Sequence, residues 1–138
     1  MTSAEAAPPG GLHHVEVWVP DLAAAERCWG WLLGELGWQP FQHWDAGRSW
    51  THGHTYLVLE RSPALSSTVH DRLAPGLNHL AFHAGSPAEV DRLVAEAPGR
   101  GWTLLFPERY PHAGGPDVYA AYLADSQGYE VELVARWP

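Results

Sequence analysis

Apolar and polar residues alternate along the segment LHHVEVWV at positions 12 to 19, with Val15, Val17 and Val19 on one side and His14, Glu16 and Trp18 on the other. A period of two marks a strand with one buried face. The period then lengthens. Leu22, Ala25, Trp29, Leu32 and Leu36 recur at the spacing of a single helical stripe, Asp21 stands where an N-cap belongs, and Gly37 stands where a helix stops. The same succession returns in the second half of the chain. LNHLAFHA at 77 to 84 carries His at its third position, as LHHVEVWV does. Ser86-Pro87-Ala88-Glu89 is then a capping box with proline at the first helical position, followed by Val90, Leu93, Val94 and Ala97.

The chain is thus one half written twice. His14 and His79 lie 65 positions apart, and Gly37-Trp38 and Gly101-Trp102 lie 64 apart. GHTYLVLERSP at 53 to 63 lies over GYEVELVARWP at 128 to 138, with Gly, Arg and Pro in coincidence. The extra length of the second copy falls near Glu108 to Asp117, where PHAGGP supplies turn formers. His54 to Leu59, Val118 to Leu123 and Tyr129 to Val134 are rich in β-branched and aromatic residues and complete each half as β-α-β-β-β. The predicted organisation is a loose tail over 1–11, a module over 12–63, a linker over 64–76 and a second module over 77–138.

Composition narrows the choice of function. With 138 residues, 46% of them apolar, the chain suits one domain with a sizeable core and no more. Eight Arg, no Lys and sixteen Asp and Glu leave a formal charge of -8, which repels nucleic acid and anionic membrane surfaces alike. Without Lys there is no P-loop, no Schiff base and no lysine general base. The single Cys28 excludes an internal disulfide and fits a reducing compartment. The first eleven residues have neither the basic start nor the apolar stretch of a signal peptide, and no apolar run reaches membrane-spanning length. A cytoplasmic protein is expected.

Laying the halves over each other by these matches makes His14 equivalent to His79, and Leu57 equivalent to Glu132. Two imidazoles and one carboxylate suit a divalent ion, Zn, Fe, Mn, Ni or Co, and leave coordination positions open for substrate. Glu130 shares the parity of Glu132 and is the alternative carboxylate. Glu16 and His83 share the faces of the two histidines and are candidates for orienting them. Trp18, Trp44, Trp50 and Trp102 are candidates for stacking on a planar substrate or for core packing.

The segments HVEVWVPDL, LNHLAFHAG and DSQGYEVELV resemble the signature strands of the vicinal oxygen chelate superfamily, which includes glyoxalases, bleomycin-resistance proteins and extradiol dioxygenases. The likeness runs from Leu12 to the end of the chain. It implies an α+β fold in which two tandem βαβββ modules form a cupped mixed sheet around a divalent metal held by His14, His79 and Glu132. Glutathione-dependent glyoxalases generally place a fourth ligand, Glu or Gln, at the position matched here by Leu57, and an alkyl group cannot coordinate. Tyr122, ten residues before Glu132, and His112 upstream of it are similar in placement to the outer-sphere tyrosine and active-site histidine of extradiol dioxygenases. A phenol and an imidazole there would orient substrate and move protons.

The activity so implied is that of an extradiol-type dioxygenase or a glyoxalase-like lyase acting on a small substrate with two adjacent oxygens. The alternatives are sequestration of an antibiotic, as in bleomycin resistance, and a transferase of the fosfomycin-resistance type. The resemblance also implies a homodimer. Whether one chain or two complete the metal site is left open by the sequence.

Overall fold

The computed structural model describes residues 5–138; positions 1–4 of the expected tail lie outside the described residues. The chain runs β1 (His14–Trp18), α1 (Leu22–Glu35), β2 (Gln39–Trp44), β3 (Gly47–His52), β4 (Thr55–Glu60), β5 (His79–His83), α2 (Pro87–Glu96), β6 (Thr103–Leu105), β7 (Ala120–Ala124) and β8 (Glu130–Val134). Short 3₁₀ turns at Ala97–Arg100 and Pro107–Arg109 flank β6. Hydrogen-bonded ladders build two four-stranded sheets, ordered β1-β4-β3-β2 and β5-β8-β7-β6. The second order is the first with each strand advanced by four. In each sheet the first strand pairs in parallel with the last and the remaining pairs are antiparallel. The fold is α+β, a mixed sheet and one helix to each module.

Local chemistry explains where the helices begin and end. The Asp21 carboxylate accepts from the Ala24 backbone N–H to open α1. Ser86 and Glu89 form the reciprocal capping box that opens α2. The matched glycines close both helical stretches: Gly37 and Gly101 each sit at φ +89°, a conformation that side-chain-bearing residues adopt only with strain. The N–H of the following tryptophan then folds back, Trp38 onto the Leu33 carbonyl and Trp102 onto the Ala97 carbonyl. No helix among the described residues is long and apolar enough to cross a membrane.

The helices cover one face of the sheets and join the modules through a shared core. Ala25, Cys28, Trp29, Leu32 and Leu33 of α1 are buried with Val90 and Leu93 of α2 and with Val17, Leu57, Leu59, Leu123, Val131 and Leu133 from the strands. Trp29 and Trp102, one from each module, meet edge to face at 5.4 Å. The Trp29 indole donates to the Asp125 carboxylate at 2.9 Å and that of Trp102 to the Cys28 carbonyl at 3.1 Å. Trp102 and Trp50 therefore belong to the core and not to a substrate cup.

The expected register of β4 needs correction by one residue. His14 and Glu16 pair with Tyr56 and Val58, whereas His79 and Ala81 pair with Glu130 and Glu132. The equivalent of Glu132 is therefore Val58. Leu57 points into the core, only 2% exposed. The two hairpins explain the slip: two residues separate β3 from β4 and five separate β7 from β8, so Gly53 and Gly128 occupy different places in their turns. Valine, like leucine, supplies no ligand.

Candidate metal centre

The face of the second sheet that carries no helix brings together residues far apart in the chain. In the parallel pair β5–β8, His79 lies beside Glu130 and Ala81 beside Glu132, so the His79 and Glu132 side chains emerge on the same face. His79 Nε2 stands 3.2 Å from Glu132 Oε1. Two donors each about 2.1 Å from one ion are separated by roughly 3.0 Å at an octahedral angle and 3.4 Å at a tetrahedral one. The observed spacing lies inside that range. The imidazole is 30% exposed and the carboxylate 13%, which leaves the pair open on one side. Its donor types and spacing fit a divalent ion with sites left for substrate.

Tyr122 completes this face. It pairs with Glu132 across β7–β8, and its ring meets that of His79 edge-on at 5.9 Å. Burial first, and then the charge and hydrogen bonding of the Glu132 carboxylate, raise the phenol above its ordinary pKa and keep it protonated at neutral pH. Phe106 packs edge-on against Tyr122 at 5.8 Å, with the Arg109 guanidinium 4.7 Å over the Phe106 ring. Phe106 is the one non-glycine among the described residues with positive φ, +52°. A bulky residue there costs on the order of 1–3 kcal/mol, and the strain aims the ring at the site. The loop that follows closes over the phenol at Gly114, where a Cβ would stand 2.8 Å from the Tyr122 hydroxyl.

The other predicted site residues have other partners. Glu130, only 6% exposed, is engaged by Arg72 of the linker at 2.8 Å. His14 is on the open face of the first sheet, stacked on Tyr56 at 4.9 Å with its Nδ1 2.9 Å from that of His13. It lines a groove with Glu16, His43, Trp44 and Val58. Glu16 turns from the imidazole and accepts from the Trp18 indole at 2.6 Å. Among the described residues no group of three or more His, Cys, Asp or Glu is placed to hold one ion, so a single chain does not carry His14 to His79 and Glu132.

His112 is not brought to the pair either. Its Nδ1 lies 2.8 Å from the Val118 carbonyl, and its ring packs against Tyr119 and Trp137. Tyr119 in turn donates to Asp91 of α2, which puts the cluster on the helix side of β7, away from Tyr122. The loop reaches the Tyr122 hydroxyl with Gly114, two residues beyond the histidine.

Three residues at the site were missed from the sequence. Asn78, whose Oδ1 is 2.6 Å from His79 Nδ1, precedes β5, where strand parity does not apply. Arg72 lies in a linker with no period to read. Phe106 had a faint signal in the Pro107 that follows it, since a residue before proline is pushed away from the right-handed helical region.

Comparison with known proteins agrees with this architecture. Residues 13–122 match the family model of the Glyoxalase/Bleomycin resistance protein/Dioxygenase superfamily. The uncharacterized protein YqjT of Bacillus subtilis (strain 168) is 43% identical over 126 residues, 90% of this chain and 98% of its own. The crystal structure of a "putative glyoxalase" from Bacillus halodurans has a TM-score of 0.88 and 44% identity, covering 92% of this chain and 96% of that one. A glyoxalase/bleomycin resistance protein from Albidiferax ferrireducens T118 has a TM-score of 0.72 at 25% identity, with 91% and 98% covered. The duplicated βαβββ modules, the paired histidine and glutamate on one sheet and these matches together make the chain a member of the glyoxalase/bleomycin resistance protein/dioxygenase superfamily.

Proposed function

We propose that this protein is a divalent-metal-dependent enzyme acting on a small substrate with two adjacent oxygens, with His79 and Glu132 of one chain and His14 of a second copy as its ligands. The observation that carries this reading is the 3.2 Å approach of His79 Nε2 to Glu132 Oε1 on an open sheet face. A second copy is favoured by topology. β1 and β5, the strands that carry the two histidines, are both edge strands with one side unpaired, and such edges need a partner or a cover. When bound, an ion such as Fe2+, Zn2+, Mn2+, Ni2+ or Co2+ would supply Lewis acidity to the two substrate oxygens.

The chain's own residues do the rest. Tyr122 keeps its proton and donates a hydrogen bond to an oxygen of the substrate beside Glu132. Phe106 and Tyr122 wall the face against water and offer ring edges to a planar substrate. With Val58 where a fourth ligand would stand, the three-ligand set favours extradiol-type ring cleavage over a glyoxalase-like lyase. A fosfomycin-type transfer uses the same ligand number.

Elemental analysis of protein purified without added metal tests the centre. One ion per chain is expected in the wild type and none in His79→Ala, and an unchanged stoichiometry in the variant refutes the assignment. Oxygen uptake by the anaerobically Fe(II)-loaded protein with a panel of catechols then separates ring cleavage from lyase chemistry. Uptake is expected; its absence across the panel removes the oxygenase.

A second reading, sequestration of a small molecule, is favoured by a cavity of about 310 Å³ between the modules, lined by Leu12, Val15, Leu36, Trp38, Leu80 and Phe82. Ligand pockets begin at about that size. Tight, metal-independent binding of a cationic glycopeptide by isothermal titration would favour the trap.

A further inference from the structure

His79 has two ring nitrogens, and which of them carries the proton decides whether the ring can face Glu132 as a ligand. The answer is written in its neighbours. Asn78 Nδ2 donates to the backbone carbonyl of Arg72 at 3.0 Å, an acceptor that only an amide N–H₂ can serve. That bond fixes the amide orientation and turns Oδ1 toward the imidazole, 2.6 Å from His79 Nδ1. An amide oxygen only accepts, so the 2.6 Å contact is a hydrogen bond only when Nδ1 carries the proton. In the neutral ring Nε2 then bears a lone pair, and it points at a carboxylate oxygen 3.2 Å away. Two acceptors face each other there, an arrangement that is repulsive until a cation or a proton lies between them.

We infer that Asn78 is the positioning residue of this centre: braced by the linker, it holds His79 as the Nδ1–H tautomer and presents Nε2 beside Glu132. The inference rests on the metal-centre reading for its purpose, but the tautomer itself belongs to the metal-free chain. The brace is firm because the linker is pinned to the second module. The Arg72 side chain binds the buried Glu130 at 2.8 Å, and the His70 ring stacks on Tyr129 at 4.2 Å, two degrees from parallel. The linker between the modules thus does more than join them, since its backbone carbonyl sets the orientation of a ligand. Without Asn78 the acceptor left beside the ring is Glu132, which would draw the proton to Nε2 and block the ligating position.

Long-range 1H–15N correlation spectra of the full-length, metal-free protein labelled with 15N-histidine, at a pH where the ring is neutral, read the tautomer directly. The wild type is expected to show His79 protonated at Nδ1 and bare at Nε2. Asn78→Leu is expected to move the proton to Nε2 and to weaken Zn(II) binding by about 10- to 100-fold in titration calorimetry, the loss common when a group orienting a ligand is removed. Asn78→Asp keeps an acceptor oxygen toward Nδ1 but loses the donor to the Arg72 carbonyl, and is expected to restore the tautomer with only part of the affinity. A wild-type His79 protonated at Nε2 overturns the inference, with no variant needed. So does Asn78→Leu with tautomer and Zn(II) affinity unchanged. A wild type that binds no Zn(II) refutes the metal centre instead, and the spectrum of that same protein still decides the role of Asn78.

Discussion

The two modules share strand order, helix placement and the glycine that ends each helical stretch, yet their open faces carry different chemistry. In the second, the first strand supplies His79 and the last supplies Glu132, and the two side chains meet. In the first, His14 occupies the place of His79, but Val58 stands where Glu132 would, and the imidazole stacks on Tyr56 instead of finding a carboxylate. Duplication repeats the backbone, while one substitution on a strand decides whether a face carries a histidine–carboxylate pair. The modules are also tied to each other by side-chain hydrogen bonds. α1 is bound to the second module through Trp29 and Asp125, and through the Asp21 backbone, which exchanges hydrogen bonds with the Gln127 amide.

The contrast can be broken in order of expected effect. His79→Ala should abolish metal retention, whereas His14→Ala, which removes the one ligand proposed from the first module, should weaken Zn(II) binding but leave the His79–Glu132 pair to bind it loosely, both read by elemental analysis and calorimetry. Equal losses would make the modules equal partners. Val58→Glu turns the first module into a copy of the second. Placing a carboxylate at a site only 4% exposed should cost the metal-free protein on the order of 1–3 kcal/mol in denaturant unfolding. Part of the loss should return on adding Zn(II), as the new side chain gains an ion to coordinate. Trp29→Phe keeps the ring and deletes the indole donor to the buried Asp125, so the tie between the modules should weaken by about 1–3 kcal/mol with Zn(II) affinity unchanged. Ser86→Ala removes half of the capping box on α2 and should lower stability by about 1 kcal/mol in the same assay.

Features governed by local rules were legible in the sequence. The Asp21 and Ser86 caps, Gly37 and Gly101 and the period-two strands all depend on residues within a few positions of one another, and the repeat assembled them into two modules of the same strand order. The pairing of His79 with Glu132 followed from that repeat because both lie in strands whose place in the sheet the duplication determines. Register did not follow so simply. Matching Gly53 to Gly128 selected Leu57 because a sequence comparison sees the glycine and not the length of the turn around it. His112, expected at the site, lies away from it because its loop has no counterpart in the first module and folds by its own contact with the Val118 carbonyl. Asn78 and Arg72 act through a linker whose path is set by tertiary contacts alone.

Under the proposed function two chains complete one centre, His14 from one and His79 with Glu132 from the other. The most direct test is metal retention by a mixed dimer of one His14→Ala chain and one His79→Ala chain, purified through two different tags, at a Zn(II) concentration where neither parent homodimer keeps metal. In the mixed dimer the unaltered His14 of one chain faces the unaltered His79 and Glu132 of the other, so one centre is whole and one lost. Half the wild-type Zn(II) content is the predicted result. A mixed dimer as empty as its parents, or a wild-type protein that holds its full metal content as a monomer, would contradict the account.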